Sequence, residues 1–267
     1  MSQFFHSKKL LKICALAICV VLISSLIMSG CTIATQTVTA TTSVTVMQTV
    51  AQIPTTPISS STSVPTNTNV SALIIGVDIH HSSEGGDTFT NLASAKGWQI
   101  IKLDIEPLTY NVLKEKGIRV LYICGGVALP YTDQELKEIQ SFVSNGGILV
   151  ISNDYGYRQS TRELTQLFYI DIVQTMANSY GLTMSVNSTD PLLNGVHAIY
   201  LDYYTSALQV QSPATVLLSG GSTQPYEPFI AEYQNQNGGK VLVYPDTVEY
   251  QYADNGMFLN NILKCSQ

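Results

Sequence analysis

Residues 118–156, IRVLYICGGVALPYTDQELKEIQSFVSNGGILVISNDYG, admit few architectures. The run 120–124 is too short for a helix and rich in strand formers, and Gly125-Gly126 break it. Thr132 reads as an N-cap with Glu135, three residues on, as its capping-box partner. Leu136, Ile139, Phe142 and Val143 recur at helical spacing, and Asn145-Gly146-Gly147 supply a left-handed stop. A second apolar run, 148–152, follows at once. Two uniformly apolar strands flanking a helix predict a parallel βαβ unit buried on both faces. Ligand sites in such sheets lie at the carboxyl ends of the strands. Those ends carry Cys124-Gly125-Gly126 and Asn153-Asp154-Tyr155-Gly156.

The flanking sequence extends the pattern. Residues 72–78 read as a buried strand ending in Asp78-Ile79-His80-His81, before Ser82-Ser83-Glu84-Gly85-Gly86. Asp87 or Thr88 caps a helix to about Lys96, residues 98–103 form the next strand, and Pro107 starts a helix through Lys116. The order predicts an α/β fold: a mainly parallel, doubly wound sheet with helices on both faces. After Gly156, Ser160 or Thr161 caps a helix over 163–168, and short strands are expected over 182–186, 198–201 and 215–218. Residues 229–234 and 240–244 read as a hairpin across 235–239, an added β-hairpin region in the C-terminal half. Asp254 or Asn255 caps a last helix over 257–263. No repeat of 20–50 residues is present, which excludes a solenoid.

The amino end is an address. Lys8, Lys9 and Lys12 precede an apolar stretch, 13–28, closed by Ser29-Gly30-Cys31, so residues 1–30 read as a secretory signal. Small residues before a cysteine resemble the lipobox of bacterial lipoproteins, although Met28 stands where that motif usually has Leu. The resemblance makes Cys31 the lipidated first residue of a cell-membrane protein facing outside the cytoplasm; an uncleaved single-span anchor is the alternative. Residues 31–70 form a Ser/Thr-rich flexible linker without charge, leaving 71–267 as the folded domain. With 12% charged residues and a formal net charge of −6, the chain offers no basic patch, which excludes nucleic acid as a partner. Cys31, Cys124 and Cys265, the cysteines outside the leader, match neither a disulfide framework nor a zinc motif. No cofactor is expected.

The ordered motifs between about residues 72 and 263 resemble the class I glutamine amidotransferase-like superfamily, a flavodoxin-like architecture. They are Asp78-x-x-His81 before a Gly-rich loop, Gly125-Gly126 followed by Leu129, Thr132 and Glu135, then Asn145-Gly146-Gly147 and Asn153-Asp154-Tyr155-Gly156. Gly238-Gly239-Lys240-Val241 leading to Asp246, and Asp254-Asn255 before the last helix, complete the set. More narrowly the chain is similar to the non-catalytic branch of extracytoplasmic proteins, some associated with ABC transporters. The resemblance implies that catalytic members place a cysteine on the turn after the fourth strand and a His with an acid late in the chain. Here that turn reads Ser152-Asn153-Asp154, and His197 is the only later histidine.

A non-catalytic domain is therefore expected, binding a glycan, a peptide, a transporter component or another envelope protein at a rim. That rim comprises Asp78, His81, Glu84, Gly125, Gly126, Asn153, Asp154, Tyr155 and Asp246. Two alternatives stay open: a purely structural envelope protein, and a hydrolase. A hydrolase would use Cys124 beside its glycines, or a metal at Asp78, His81 and Glu84. Against these stand a buried inert thiol and a polar loop at a sheet edge. Ser152 lacks the flanking glycines of a nucleophile elbow. Tyrosines crowd the second half, Tyr155, Tyr157, Tyr200, Tyr203, Tyr204, Tyr226, Tyr233, Tyr244, Tyr250 and Tyr252, and such rings can stack on sugars or meet protein partners, with ordinary amphipathic packing at the surface as the alternative.

Overall fold

A strand can be apolar on both sides only if both sides are covered, and the central strands here are. The computed structural model describes residues 73–175, 181–201, 205–221 and 225–267. The expectations on 1–30, 31–70, Cys31, Tyr203 and Tyr204 lie outside the described residues. The chain begins with β1 (Ile74–Asp78), β2 (Ser82–Glu84), α1 (Asp87–Ala95), β3 (Gln99–Leu103) and α2 (Tyr110–Glu115). β4 (Val120–Val127), α3 (Asp133–Ser144), β5 (Ile148–Asn153) and α4 (Arg158–Thr165) follow. Next come β6 (Ile170–Thr175), β7 (Leu182–Ser185), β8 (Ala198–Leu201) and β9 (Ser206–Val210). β10 (Thr215–Gly220), β11 (Glu227–Gln234), β12 (Lys240–Pro245) and α5 (Asn255–Cys265) complete the described elements.

Seven strands lie in the order β10-β11-β12-β5-β4-β1-β3, and β2 joins as an eighth on β4. The run from β12 through β5, β4 and β1 to β3 is parallel, whereas β10 and β11 are antiparallel. Alternate residues of the strands feed two cores. Val120, Tyr122, Ile148, Val150, Leu242 and Tyr244 pack on one face with Phe89 of α1 and Phe258 of α5. Leu121, Ile123, Leu149, Ile151, Val241 and Val243 pack on the other with Leu113 of α2, Ile139 of α3 and Leu164 of α4. The expected α/β sheet with helices on both faces is observed, with the hairpin region in the second half.

Several boundaries differ for identifiable reasons. The helix expected from Pro107 begins at Tyr110, because Thr109 accepts the Val112 amide and caps it. β4 runs on through Gly125 and Gly126, where β2 pairs with it antiparallel, Ser82 opposite Val127 and Glu84 opposite Cys124. That pairing uses residues whose composition suggests a loop. α4 starts at Arg158, so Thr161 lies inside it rather than capping it. The Thr132–Glu135 capping box forms with both reciprocal bonds. β6 and β9, which pair with each other, carry no distinct strand signal in the sequence.

The β11–β12 hairpin also closes the end of α3. Asn235 Nδ2 donates to the Val143 carbonyl at 2.8 Å and Asn237 Nδ2 to the Ser144 carbonyl at 3.0 Å. These satisfy acceptors that a helix C-terminus leaves open. Gly239 packs so close that a Cβ there would strike the Val143 carbonyl oxygen. Gly239→Ala should therefore cost about 1–3 kcal/mol, read as a lowered urea midpoint with unchanged slope. An unchanged midpoint would mean that the hairpin does not seat on α3.

Candidate functional site

Parallel pairing brings the carboxyl ends of β1, β4, β5 and β12 to one edge. Asp78, Gly125-Gly126, Asn153-Asp154 and Asp246 therefore leave four consecutive strands side by side. Pro245 pairs with Asn153, so Asp246 and Asp154 emerge from neighbouring positions. Sharing an edge is not sharing a pocket, since odd and even positions go to opposite faces.

On the α3 face, Asp78 is buried with His81, Tyr131 and Glu135. One Asp78 oxygen accepts the His80 and His81 amides at 3.0 and 2.9 Å. The other takes the Tyr131 hydroxyl and lies 3.0 Å from His81 Nδ1. The Tyr131 ring stacks on the His81 ring at 4.0 Å, and His81 Nε2 reaches to 3.5 Å from Glu135 Oε1. Glu135 in turn accepts the Leu108 amide at 2.8 Å and the Thr132 amide at 2.9 Å. Burial alone pushes the Asp78 carboxyl up; the bonds from His81 and Tyr131 outweigh it and hold the group below its ordinary range. Glu135 is likewise held low against burial, by Leu108 and Thr132. The network ties β1 to the starts of α2 and α3. Tyr131 and the second role of Glu135 were not visible in the sequence.

On the opposite face Tyr122, Cys124, Ser152 and Tyr244 form a buried polar row across three strands. Glu249 closes it. This residue sits in a short 3-10 turn, Asp246–Glu249, directly after β12. Its Oε1 accepts both the Tyr122 and Tyr244 hydroxyls at 2.8 Å, and its Oε2 accepts the Phe89 amide at 3.1 Å, in the first turn of α1. Burial drives the Glu249 pKa up, and the tyrosine bonds only partly offset it. Nothing in the sequence marks Glu249, since an acid in a loop ordinarily faces water. Cys124 Sγ lies 3.9 Å from Glu84 Oε2, and burial pushes its thiol up to about 12. Such a thiol is not a nucleophile at neutral pH.

Between these layers lies the glycine pair, both residues at positive φ, 66° and 81°. The Gly125 amide donates to Ser152 Oγ at 2.8 Å, and the Val127 amide donates to Thr161 Oγ1 at 2.9 Å. Ser83 Oγ donates to the Gly125 carbonyl. A Cβ on Gly126 would lie 2.8 Å from Thr161 Oγ1, so the close approach of α4 requires glycine there. β2 covers the end of β4 from the other side.

Of the remaining rim residues, Asn153 is buried and its Oδ1 has no partner among the described residues, Asp154 accepts the Gly156 amide at 3.0 Å, and Glu84 is exposed. Tyr155 and Asp246 lie in the turns after β5 and β12. Glu84 faces Cys124 instead of joining Asp78 and His81, and no metal-binding group of three acids, histidines or cysteines forms among the described residues. His197 is exposed, its Nδ1 3.3 Å from Asp254.

Asp78→Asn would place an amide donor against the Tyr131 hydroxyl. It should cost about 2–4 kcal/mol at pH 7. Because the folded pKa of Asp78 is depressed, its contribution is complete above the unfolded value of about 3.9 and lost as pH falls through the folded value. Denaturation from pH 7 to pH 2 should show the wild-type advantage constant down to about pH 4 and shrinking below it. An advantage that grows on acidification would contradict the network.

No protein-family model matches the sequence, and no curated protein matches it. Solved structures do match its shape. The mmIFT52 N-terminal domain superposes with a TM-score of 0.61 at 18% identity, covering 72% of this chain and 97% of that one. A GMP synthase component from Thermoplasma acidophilum gives 0.52 at 11% identity, covering 73% and 94%. A cytoplasmic protein from Salmonella typhimurium gives 0.51 at 14% identity, covering 72% and 98%. At these identities the likeness is one of fold, the mainly parallel α/β sheet with helices on both faces that the sequence leads one to expect.

Proposed function

We propose that this chain is a non-catalytic, amidotransferase-like binding domain, held outside the cytoplasm by a lipid on Cys31. One observation carries the reading: the Gly125 and Val127 amides are engaged by Ser152 and Thr161. Acyl transfer needs preorganised donors free to meet the developing oxyanion. It also needs an ionisable thiol with a base in reach. Here the turn after β5 reads Asn153-Asp154, and Cys124 keeps its proton. The rim then serves to bind a glycan, a peptide or a transporter component, without turnover. Tethering follows from Ser29-Gly30-Cys31 and the uncharged linker behind it.

Glutamine incubated with the protein should release no ammonia above buffer. Iodoacetamide at pH 7.5 should label Cys124 only after unfolding. Rapid native labelling of Cys124 together with ammonia release would restore the hydrolase reading. In a bacterial host with a lipoprotein-processing pathway, the chain should incorporate labelled palmitate and Cys31→Ser should abolish the label; a full-length, unlabelled chain in the membrane would instead support the uncleaved anchor.

A further inference from the structure

Exposed aromatic rings cost solvation unless something covers them, and two stand together beyond β12. Tyr250 is 46% and Tyr252 59% exposed. Their segment is tightly held. The Tyr252 amide donates back to the Tyr250 carbonyl at 2.9 Å, closing a three-residue turn around Gln251. Ala253 then adopts a left-handed φ of 49°, a conformation that alanine takes only under constraint.

The constraint is Asn255, fully buried at the start of α5. Its Oδ1 accepts the Tyr200 amide at 2.9 Å. Its Nδ2 approaches the Tyr200, Thr247 and Tyr250 carbonyls at 3.5, 3.3 and 3.1 Å. One side chain thus fixes the backbone of β8 and of the loop after β12 against each other. The Tyr200 and Tyr252 rings lie 4.8 Å apart at 50°, and Tyr250 meets Tyr252 edge-on at 6.4 Å. Tyr200, Tyr250, Gln251 and Tyr252 line an open cavity of about 480 Å³. That volume lies within the usual range for small-molecule sites.

From this geometry we infer that the tyrosine cleft is a carbohydrate-binding site for a neutral, pyranose-based glycan. The inference rests on reading the chain as a binding domain and gives its ligand a class and a place, beside the β12 end of the rim. The chemistry selects the class. The negative π-face of an aromatic ring attracts the polarised C–H bonds on one face of a sugar ring. Phenol hydroxyls and the Gln251 amide can both donate to and accept from sugar hydroxyls. The described lining carries no charge, so it offers nothing to pair with a charged ligand. Rings fixed before binding lose little entropy on binding, which suits a weakly held sugar.

The test uses the full chain in mild detergent, titrated by calorimetry with neutral hexasaccharides of glucose, mannose and N-acetylglucosamine. At least one should bind saturably at micromolar to millimolar concentration. Tyr252→Ala and Tyr250→Ala should each weaken it at least tenfold, whereas Tyr252→Phe should stay within threefold. Both rings are exposed, so these changes leave the core intact, and an unchanged urea midpoint verifies it. No saturable binding across the panel, equal binding by Tyr252→Ala, or capture of a protein partner through the cleft with no sugar binding would each overturn the inference. The proposed lack of catalysis is read separately by ammonia release, so either idea can fail alone.

Discussion

The amide protons of Gly125 and Val127 point at Ser152 Oγ and Thr161 Oγ1, at 2.8 and 2.9 Å, where the fold brings a glycine-bearing strand end against a helix. Both are structural bonds, joining β4 to β5 and to α4. Both glycines take positive φ inside β4, just ahead of its end at Val127. β2 then lies along the end of β4, and Ser83 takes the Gly125 carbonyl. The chain's own side chains and β2 thus occupy the centre of the edge.

Around that plug, burial is handled in opposite ways on the two faces. Asp78 and Glu135 are stripped of water but surrounded by donors, and they remain charged and low in pKa. Glu249 has two hydroxyls and one amide, which do not fully replace water, and its pKa rises. Both arrangements cross-link segments that the sheet alone would leave independent: the starts of α2 and α3 on one face, and the start of α1 with the turn after β12 on the other. The rim is therefore cross-linked at its centre, and Tyr250 and Tyr252 add accessible aromatic surface beyond β12.

Much of the fold was legible because its signals are local. Uniform apolar runs, the Thr132–Glu135 box and Asn145-Gly146-Gly147 fix a strand, a helix and a strand with little help from the rest of the chain. β2 was illegible because Ser82-Ser83-Glu84 has no strand propensity, and it pairs only because β4 ends beside it. β6 and β9 depend similarly on each other. At the site, Asp78 and His81 stood out by residue type, but their partners Tyr131 and Glu135 lie far along the chain, beyond β4. Thr161 and Asn255 read as helix caps, the commonest use of such residues. Tertiary packing gave them other work, as an acceptor for Val127 and as the clamp on Tyr200 and Tyr250. Glu249 carries no sequence signal, since only the 3-10 turn after β12 aims it inward.

Amide hydrogen exchange at Gly125 and Val127 tests the central claim most directly. If the hydroxyls hold these protons, both amides should exchange as slowly as those of Leu121 and Ile123 in the middle of β4. Thr161→Val should then accelerate Val127 selectively. Exchange at the intrinsic rate of an unstructured peptide would show two free donors at the sheet edge, and the closed, non-catalytic reading would not stand.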